Sequence, residues 1–324
     1  MRKIIILSEI ADRTTTDVMT WLLYYGQSCL RINRDDKDFQ VISITKEVLK
    51  VKTAYYAEYD INQGDIVWAR RPGLYNVFVT QFSKENDYNK KVFRFIENRD
   101  YIESAYWWIY NNCCCIISPF SYTVNKINVL EIAEREGIKT PRWIVTSCKK
   151  ELMTYLKGVE KVAMKPFNTL MYAINSMTIK SLTNCVNYPE LLDFPDFFPA
   201  MIFQEYIFKK YELRCFLFDN VFYSMAIMSQ NDPQTVVDFR NYNHSTPNRT
   251  VPIKLPEEYE KKLLSLSKKL GLFSGSYDVL VSEKGEFFFL EINPIGQFGM
   301  VSYPCNYHIE KQIAEFILKQ AENA

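Results

Sequence analysis

The chain has 324 residues, too many for one small core, so two or three lobes are expected. Its composition of 48% hydrophobic, 24% charged and 15% aromatic residues is that of a folded protein with much buried aromatic surface. A net charge of +1 gives no electrostatic reason to expect nucleic acid or an anionic membrane as partner, and no stretch reaches the roughly 20 apolar residues that span a bilayer.

The N-terminus reads M-R-K-I-I-I-L-S-E-I, with four consecutive apolar residues before Ser8 and Glu9. That pattern predicts a buried strand rather than a signal peptide, so a cytoplasmic location is expected. The first part then alternates strand and helix. Lys3–Leu7 is a strand, Thr14–Tyr25 a helix stopped by Gly26, and Cys29–Ile32 the next strand. Phe39–Ile44 and Glu47–Lys52 read as a hairpin, Asp65–Ala69 as a buried strand, Glu85–Asn111 as a helix, and Cys113–Ile117 as a closing strand. This order predicts an open α/β sheet, and without a G-x-G-x-x-G it gives no support for a dinucleotide site. The eight cysteines include no C-x-x-C pair, and the two histidines offer no zinc spacing. Cys113-Cys114-Cys115 is read as three small apolar side chains in a strand, and reduced thiols fit a cytoplasmic protein.

Ser118-Pro119 marks the first expected boundary. Asn125–Glu136 is an amphipathic helix, Arg142–Val145 a strand, Lys149–Lys157 a short helix, and Val162–Lys165 a strand halted by Pro166. Residues 167–199 are rich in Asn, Thr and Pro and predict hairpin and loop. Strands follow at Met201–Tyr206, Leu213–Phe218 and Val221–Met228, then a polar loop over 232–249 and a helix over Glu257–Leu270. The final helix is expected over Asn306–Ala321.

Between the last two helices lies the densest chemistry. Tyr277–Ser282 and Glu286–Ile292 are rich in β-branched and aromatic residues, and Lys284-Gly285 suits a two-residue turn. Folded about that turn, residue numbers on opposite strands sum to 569, so Asp278 faces Glu291. Asn293, two residues on, emerges on the same face as Glu291. Like charges facing each other need a cation, and hard oxygen ligands of this kind suit magnesium serving a phosphate. The competing reading is a solvated hairpin whose acids never meet. Candidate cationic partners are Lys126 at a helix start and Lys165 at a strand end.

The ordered set Lys126, Lys165-Pro166, Q-E-Y-I at 204–207, E-L-R at 212–214, D-F-R-N at 238–241, Asp278 and E-I-N-P at 291–294 resembles the ATP-grasp fold. It is similar to the ribosomal-protein glutamate ligase branch. The longer strings M-I-F-Q-E-Y-I-F-K-K-Y-E-L-R and N-P-I-G-Q-F-G-M-V-S-Y-P-C-N-Y resemble the maturases of graspetides, peptides closed by side-chain ester or amide rings. V-W-A-R-R-P at 67–72 fits that group's N-terminal part.

The resemblance implies an α/β protein: an N-terminal open α/β domain over 1–118, then ATP-grasp lobes over 119–199 and 200–324 that clamp ATP. It implies that Lys126 and Lys165 neutralise the ATP phosphates. Gln204, Glu205 and Ile207 would receive adenine, largely through backbone groups, and Glu212 the ribose hydroxyls. Asp278, Glu291 and Asn293 would hold magnesium. Arg214 and Arg240 would contact the transferring phosphoryl group or the substrate carboxylate, against the alternative of a structural Arg240–Asp238 ion pair. The family's Gly-rich phosphate loop is replaced by K-P-F-N-T-L-M-Y-A-I-N-S-M, where Asn168, Thr169 and Ser176 are side-chain substitutes.

The implied activity is ATP-dependent macrocyclisation of a precursor peptide with leader and core segments. An Asp or Glu side chain is phosphorylated, then attacked by a Ser or Thr hydroxyl or a Lys amine. Neither nucleic acid nor membrane is an expected partner, and a homodimer is compatible with this picture. Phe194, Phe197 and Phe198 are candidates for leader docking, against ordinary packing. Two alternatives stay open: a ligase that adds a free amino acid to a protein or small molecule, and a non-catalytic nucleotide-binding scaffold.

Overall fold

The structure, a computed structural model, describes residues 2–72, 87–167, 171–174, 177–180 and 183–323, with backbone alone at 171–174 and 177–180. Two compact units emerge, Met1–Thr123 with Gln297–Ala324, and Val124–Gly296.

The first unit starts with β1 (Ile4–Ser8), α1 (Arg13–Tyr24), β2 (Cys29–Asn33), β3 (Gln40–Ile44), β4 (Val48–Lys52), β5 (Tyr59–Asn62), β6 (Ile66–Ala69), α2 (Tyr88–Asn112) and β7 (Cys114–Ile117). A parallel sheet of order β2-β1-β6-β7 forms its centre. The unbroken apolar run of β1 is explained by that central place, since its side chains are buried on both faces. Asp12 caps α1 by accepting from the Thr14 N–H, and the same carboxylate pairs with Arg70 and Arg71. The hairpin expected at 39–52 forms, but β5 joins it as a third strand that the sequence reading left out. Cys114 and Cys115 lie in β7, and burial pushes the Cys113 and Cys115 thiols up to about 12, so they stay protonated.

The second unit contains α3 (Lys126–Arg135), β8 (Trp143–Cys148), α4 (Lys149–Tyr155), β9 (Lys161–Lys165), β10 (Met171–Ile174), β11 (Met177–Lys180), β12 (Asn184–Asn187) and β13 (Phe197–Glu205). It continues with β14 (Lys209–Phe218), β15 (Val221–Met228), β16 (Arg249–Pro252), α5 (Glu257–Lys269), β17 (Ser274–Ser282) and β18 (Phe287–Asn293). The hairpin expected within 167–199 is β10–β11, and the same stretch also holds β12 and a 3-10 turn at Tyr188–Asp193. A four-stranded sheet runs β12-β9-β13-β8, and a five-stranded one runs β16-β15-β14-β17-β18. One face of the five-stranded sheet packs on α3 and α5 through Leu213, Cys215, Tyr277, Val279, Phe289, Leu130 and Leu266. Alternation along the strands then frees the other face for polar side chains.

The C-terminal return to the first unit is two helices, α6 (Gly299–Cys305) and α7 (Ile309–Asn323), where one was expected. The break is at Asn306 and His308, both left-handed with φ +53, a conformation that no continuous helix contains.

Candidate functional site

The site is built on the free face of the five-stranded sheet. On β14 the core takes Leu213, Cys215 and Leu217, so Glu212 and Arg214 point the other way. Register then sets a row across three strands: Arg214 is paired with Asp278 of β17, and Asp278 with Glu291 of β18. The facing of Asp278 and Glu291 is as expected, but it is reached by a different route. The Ser282 N–H donates to the Glu286 carbonyl, so the turn holds three residues, with Gly285 left-handed at φ +80. Near the turn the pairs are Val281 with Phe287 and Leu280 with Phe288; a bulge at Leu290 then restores the Asp278–Glu291 pairing.

Cations surround both acids. Arg214 Nη1 donates to Asp278 Oδ1 at 2.5 Å. Lys126 Nζ lies 3.3 Å from Glu291 Oε2 and Arg240 Nη1 3.8 Å from Glu291 Oε1. Lys126 is delivered by the N-terminus of α3, where Asn125 accepts from the Ile127 and Asn128 N–H groups. Burial raises the Asp278 carboxyl above its ordinary range, although Arg214 pulls the other way. Burial acts on Glu291 too, but Lys165, Lys126 and Arg240 outweigh it and hold that carboxyl low. Desolvation lowers the Lys165 ammonium against the attraction of Glu291. Arg240 forms the ion pair weighed as its alternative reading: Nε and Nη2 grip Asp238 at 2.9 and 2.7 Å, which raises the guanidinium further.

These groups close one end of an open cleft of about 620 Å³ lined by Lys165, Arg240, Asp278 and Glu291 at that end, and by Gln204, Glu205, Ile207 and Glu212 farther along. Its middle is apolar, with Ala163, Phe239, Leu280 and Leu290 in the walls. Gln204 is buried, and its side-chain oxygen has no hydrogen-bond partner among the described residues. Such an atom normally has one. Beyond Glu205 the chain leaves the ladder, and among the described residues the Ile207 N–H makes no hydrogen bond. Glu212 accepts from Lys209 Nζ at 2.6 Å and Ser229 Oγ at 2.8 Å, both on Oε1. Burial raises its carboxyl despite these partners.

Lys209 was not anticipated. Three residues before Glu212 it belongs on the opposite face of a regular strand, but a bulge at Lys210 turns it onto the same one. Asn293 is not among the cleft-lining residues; it is exposed at the strand end, where its Oδ1 accepts from the Ile295 N–H. Asn168, Thr169 and Ser176 lie outside the described residues. Phe194 and Phe198 pack edge to face and join the core under α4, as ordinary packing requires, whereas Phe197 is 76% exposed.

Comparison with solved structures decides the fold. A RiPP-associated ATP-grasp ligase of Chryseobacterium gregarium, solved with ADP and a leader and core peptide, superposes with a TM-score of 0.81 at 22% identity. The match covers 99% of this chain and 97% of that one. The macrocyclase MdnC of Microcystis aeruginosa, bound to its precursor peptide MdnA, gives 0.76 at 20% identity, covering 98% and 99%. The ATP-grasp ligase PsnB, with a minimal precursor variant, Mg and ADP, gives 0.72 at 16% identity, covering 99% of each chain. This is the ATP-grasp fold. No protein-family model matches the sequence, and no curated protein does.

Within that fold the donor chemistry fits magnesium held by few protein groups. Among the described residues no three His, Cys, Asp or Glu side chains gather into a metal-binding group. The cleft instead offers two carboxylates opposite each other, Asp278 and Glu291, each already beside a cation. Magnesium typically binds through one or two carboxylates and completes its shell with phosphate oxygens and water.

Proposed function

We propose that the protein is an ATP-dependent ligase that closes side-chain rings in a ribosomally made precursor peptide. The observation that carries this reading is the Arg214–Asp278–Glu291 row at one end of an open cleft with apolar walls, with Gln204 and Glu212 farther along it. The full-length likeness to ligases solved with ADP and with leader and core peptides supports the peptide as substrate.

In this reading adenine occupies the apolar middle of the cleft, with its polar edge at Gln204 and the Ile207 N–H, and the ribose hydroxyls donate to Glu212. Lys126 and Lys165 neutralise the phosphates. Asp278 and Glu291 hold magnesium, with Asn293 at the rim as a further oxygen donor; the metal supplies charge neutralisation on the phosphate oxygens. Arg214 and Arg240 orient the substrate carboxylate. A carboxylate oxygen of Asp or Glu attacks the γ-phosphorus and ADP leaves. A Ser or Thr hydroxyl, or a Lys amine, then attacks the acyl carbon, loses its proton, and displaces phosphate. Each ring therefore removes one water from the peptide.

Lobe boundaries near Ser118 and Pro199 belong to the same proposal, as does a cytoplasmic location, which eight free thiols favour. No helix among the described residues is long and apolar enough to cross a membrane.

Mass spectrometry of the precursor peptide after incubation with the protein, ATP and magnesium tests the reaction. The expected product is lighter by one water per ring, with one ADP released for each. A peptide of unchanged mass with ADP release at background sinks the proposal, and a mass gain of one amino-acid residue would make it a free-amino-acid ligase instead.

A further inference from the structure

Taking the cleft as the ATP site, we propose that Lys209 is the positioning residue that makes it select a ribose, by fixing Glu212 as the acceptor for the sugar hydroxyls. Lys209 opens β14, three residues before Glu212, and the two side chains are 4% and 9% exposed. Lys209 Nζ donates to Glu212 Oε1 at 2.6 Å, and the Ser229 hydroxyl donates to the same oxygen at 2.8 Å. Ser229 Oγ in turn accepts from Gln230 Nε2 at 3.1 Å. Both donors thus fall on one oxygen of the carboxylate. The other, Oε2, belongs to a side chain that lines the cleft and accepts nothing among the described residues. A carboxylate oxygen has about two lone-pair sites, one for each hydroxyl of a ribose.

Stability alone does not account for the pair. Two charges taken out of water recover little net energy, and apolar residues in their place often do as well or better. The strand is also bent to make the contact, since the bulge between Lys209 and Tyr211 is what brings the ammonium to the cleft face. What that ammonium secures is the charge of Glu212. Burial and the nearby Asp278 push the carboxyl up, and Lys209 is the foremost group pulling it down. A protonated Glu212 would turn one of its oxygens from acceptor to donor. The same Nζ reaches the Val237 carbonyl at 3.4 Å, two residues before Phe239 in the cleft wall. Two of its three protons are therefore spent on the protein, and Lys209 acts on the sugar through Glu212.

Calorimetric titration of the full chain with ATP and with 2′,3′-dideoxy-ATP, in the presence of magnesium, tests this role. The wild-type protein should bind ATP about tenfold or more tightly than the dideoxy analogue, the scale of hydrogen bonds to a charged group. Lys209→Met should erase that preference, chiefly by weakening ATP. Ser229→Ala removes the other donor without stranding a charge, and should lower the preference about threefold. It keeps the question decidable if Lys209→Met does not fold. Lys126→Ala, at the phosphate end, should weaken both nucleotides alike and leave their ratio unchanged. A pair with a purely structural part would lose stability or overall affinity without moving that ratio. A wild-type protein that binds ATP without preferring it to the analogue would overturn the role of Lys209 and leave the cleft an ATP site. So would a Lys209→Met variant that keeps the wild-type ratio, or, where that variant does not fold, a Ser229→Ala variant that keeps it. A protein that binds neither nucleotide would overturn the ATP reading itself and this role with it.

Discussion

Glu291 has the most demanding environment in the cleft. Burial disfavours its charge, while Lys165, Lys126 and Arg240 together keep it ionised. A carboxylate so placed is ready to meet a metal and a phosphate with no change in protonation. Replacing it with Gln preserves its shape and removes that charge. We expect Glu291→Gln to lower kcat by about 10²-fold or more, the scale seen when one preorganised electrostatic group is lost. Lys165→Ala should do the same by leaving the phosphates a cation short. Far-UV circular dichroism should stay unchanged in both, since neither side chain belongs to a hydrophobic cluster of the core. Turnover at the wild-type rate in either variant would place the chemistry elsewhere. Arg240 is a poorer probe, because removing it strands the buried Asp238 without its bidentate partner, and the resulting instability would mask any effect on catalysis.

The β17–β18 hairpin shows how far an element can be read from its residues. Strand identity and the facing acids were legible because alternation and β-branched content report burial directly. The turn was not: a three-residue turn and a bulge at Leu290 shift the register in opposite senses and cancel at Asp278. Bulges leave little mark on hydrophobic pattern, and the same blindness hid Lys209 beside Glu212. Two glycines, Gly285 in its turn and Gly296 just past its end, separate local strain from site geometry. A Cβ on Gly285 meets nothing within 4 Å, so Gly285→Ala suffers only the left-handed backbone, about 1–2 kcal/mol. A Cβ on Gly296 would lie 1.9 Å from Ser276 Oγ and 2.9 Å from the Ser276 backbone nitrogen. Gly296→Ala must therefore displace the strand end that carries Asn293, at a cost of about 1–3 kcal/mol. Urea denaturation should rank both below wild type, while the nucleotide affinity of Gly285→Ala stays within twofold and that of Gly296→Ala falls. Equal affinity in the two variants would show that the strand end has no part in holding the ligand.

At the scale of the whole chain, the order of strands and helices predicted an open α/β sheet in the first unit, and β1 and β6 carry there the unbroken apolar runs of a parallel sheet covered on both faces. It did not predict that the C-terminal helices belong to that unit, since nothing local in 299–323 says which sheet they will cover. The cleft lies wholly within the second unit. Ligand binding should therefore stabilise that unit directly. At a hundred times Kd a bound nucleotide adds about 2.7 kcal/mol. Hydrogen exchange with a non-hydrolysable ATP analogue and magnesium should slow amides of 204–214, 237–240 and 278–291, with the Ile207 N–H gaining the most because it has no hydrogen bond among the described residues to begin with. Magnesium alone should give no such protection, because Arg214 and Lys126 already neutralise Asp278 and Glu291 and the phosphates are needed to draw those cations away. Protection by magnesium without nucleotide would mean that the acids form a free-standing metal site, and the cations would then need a different role.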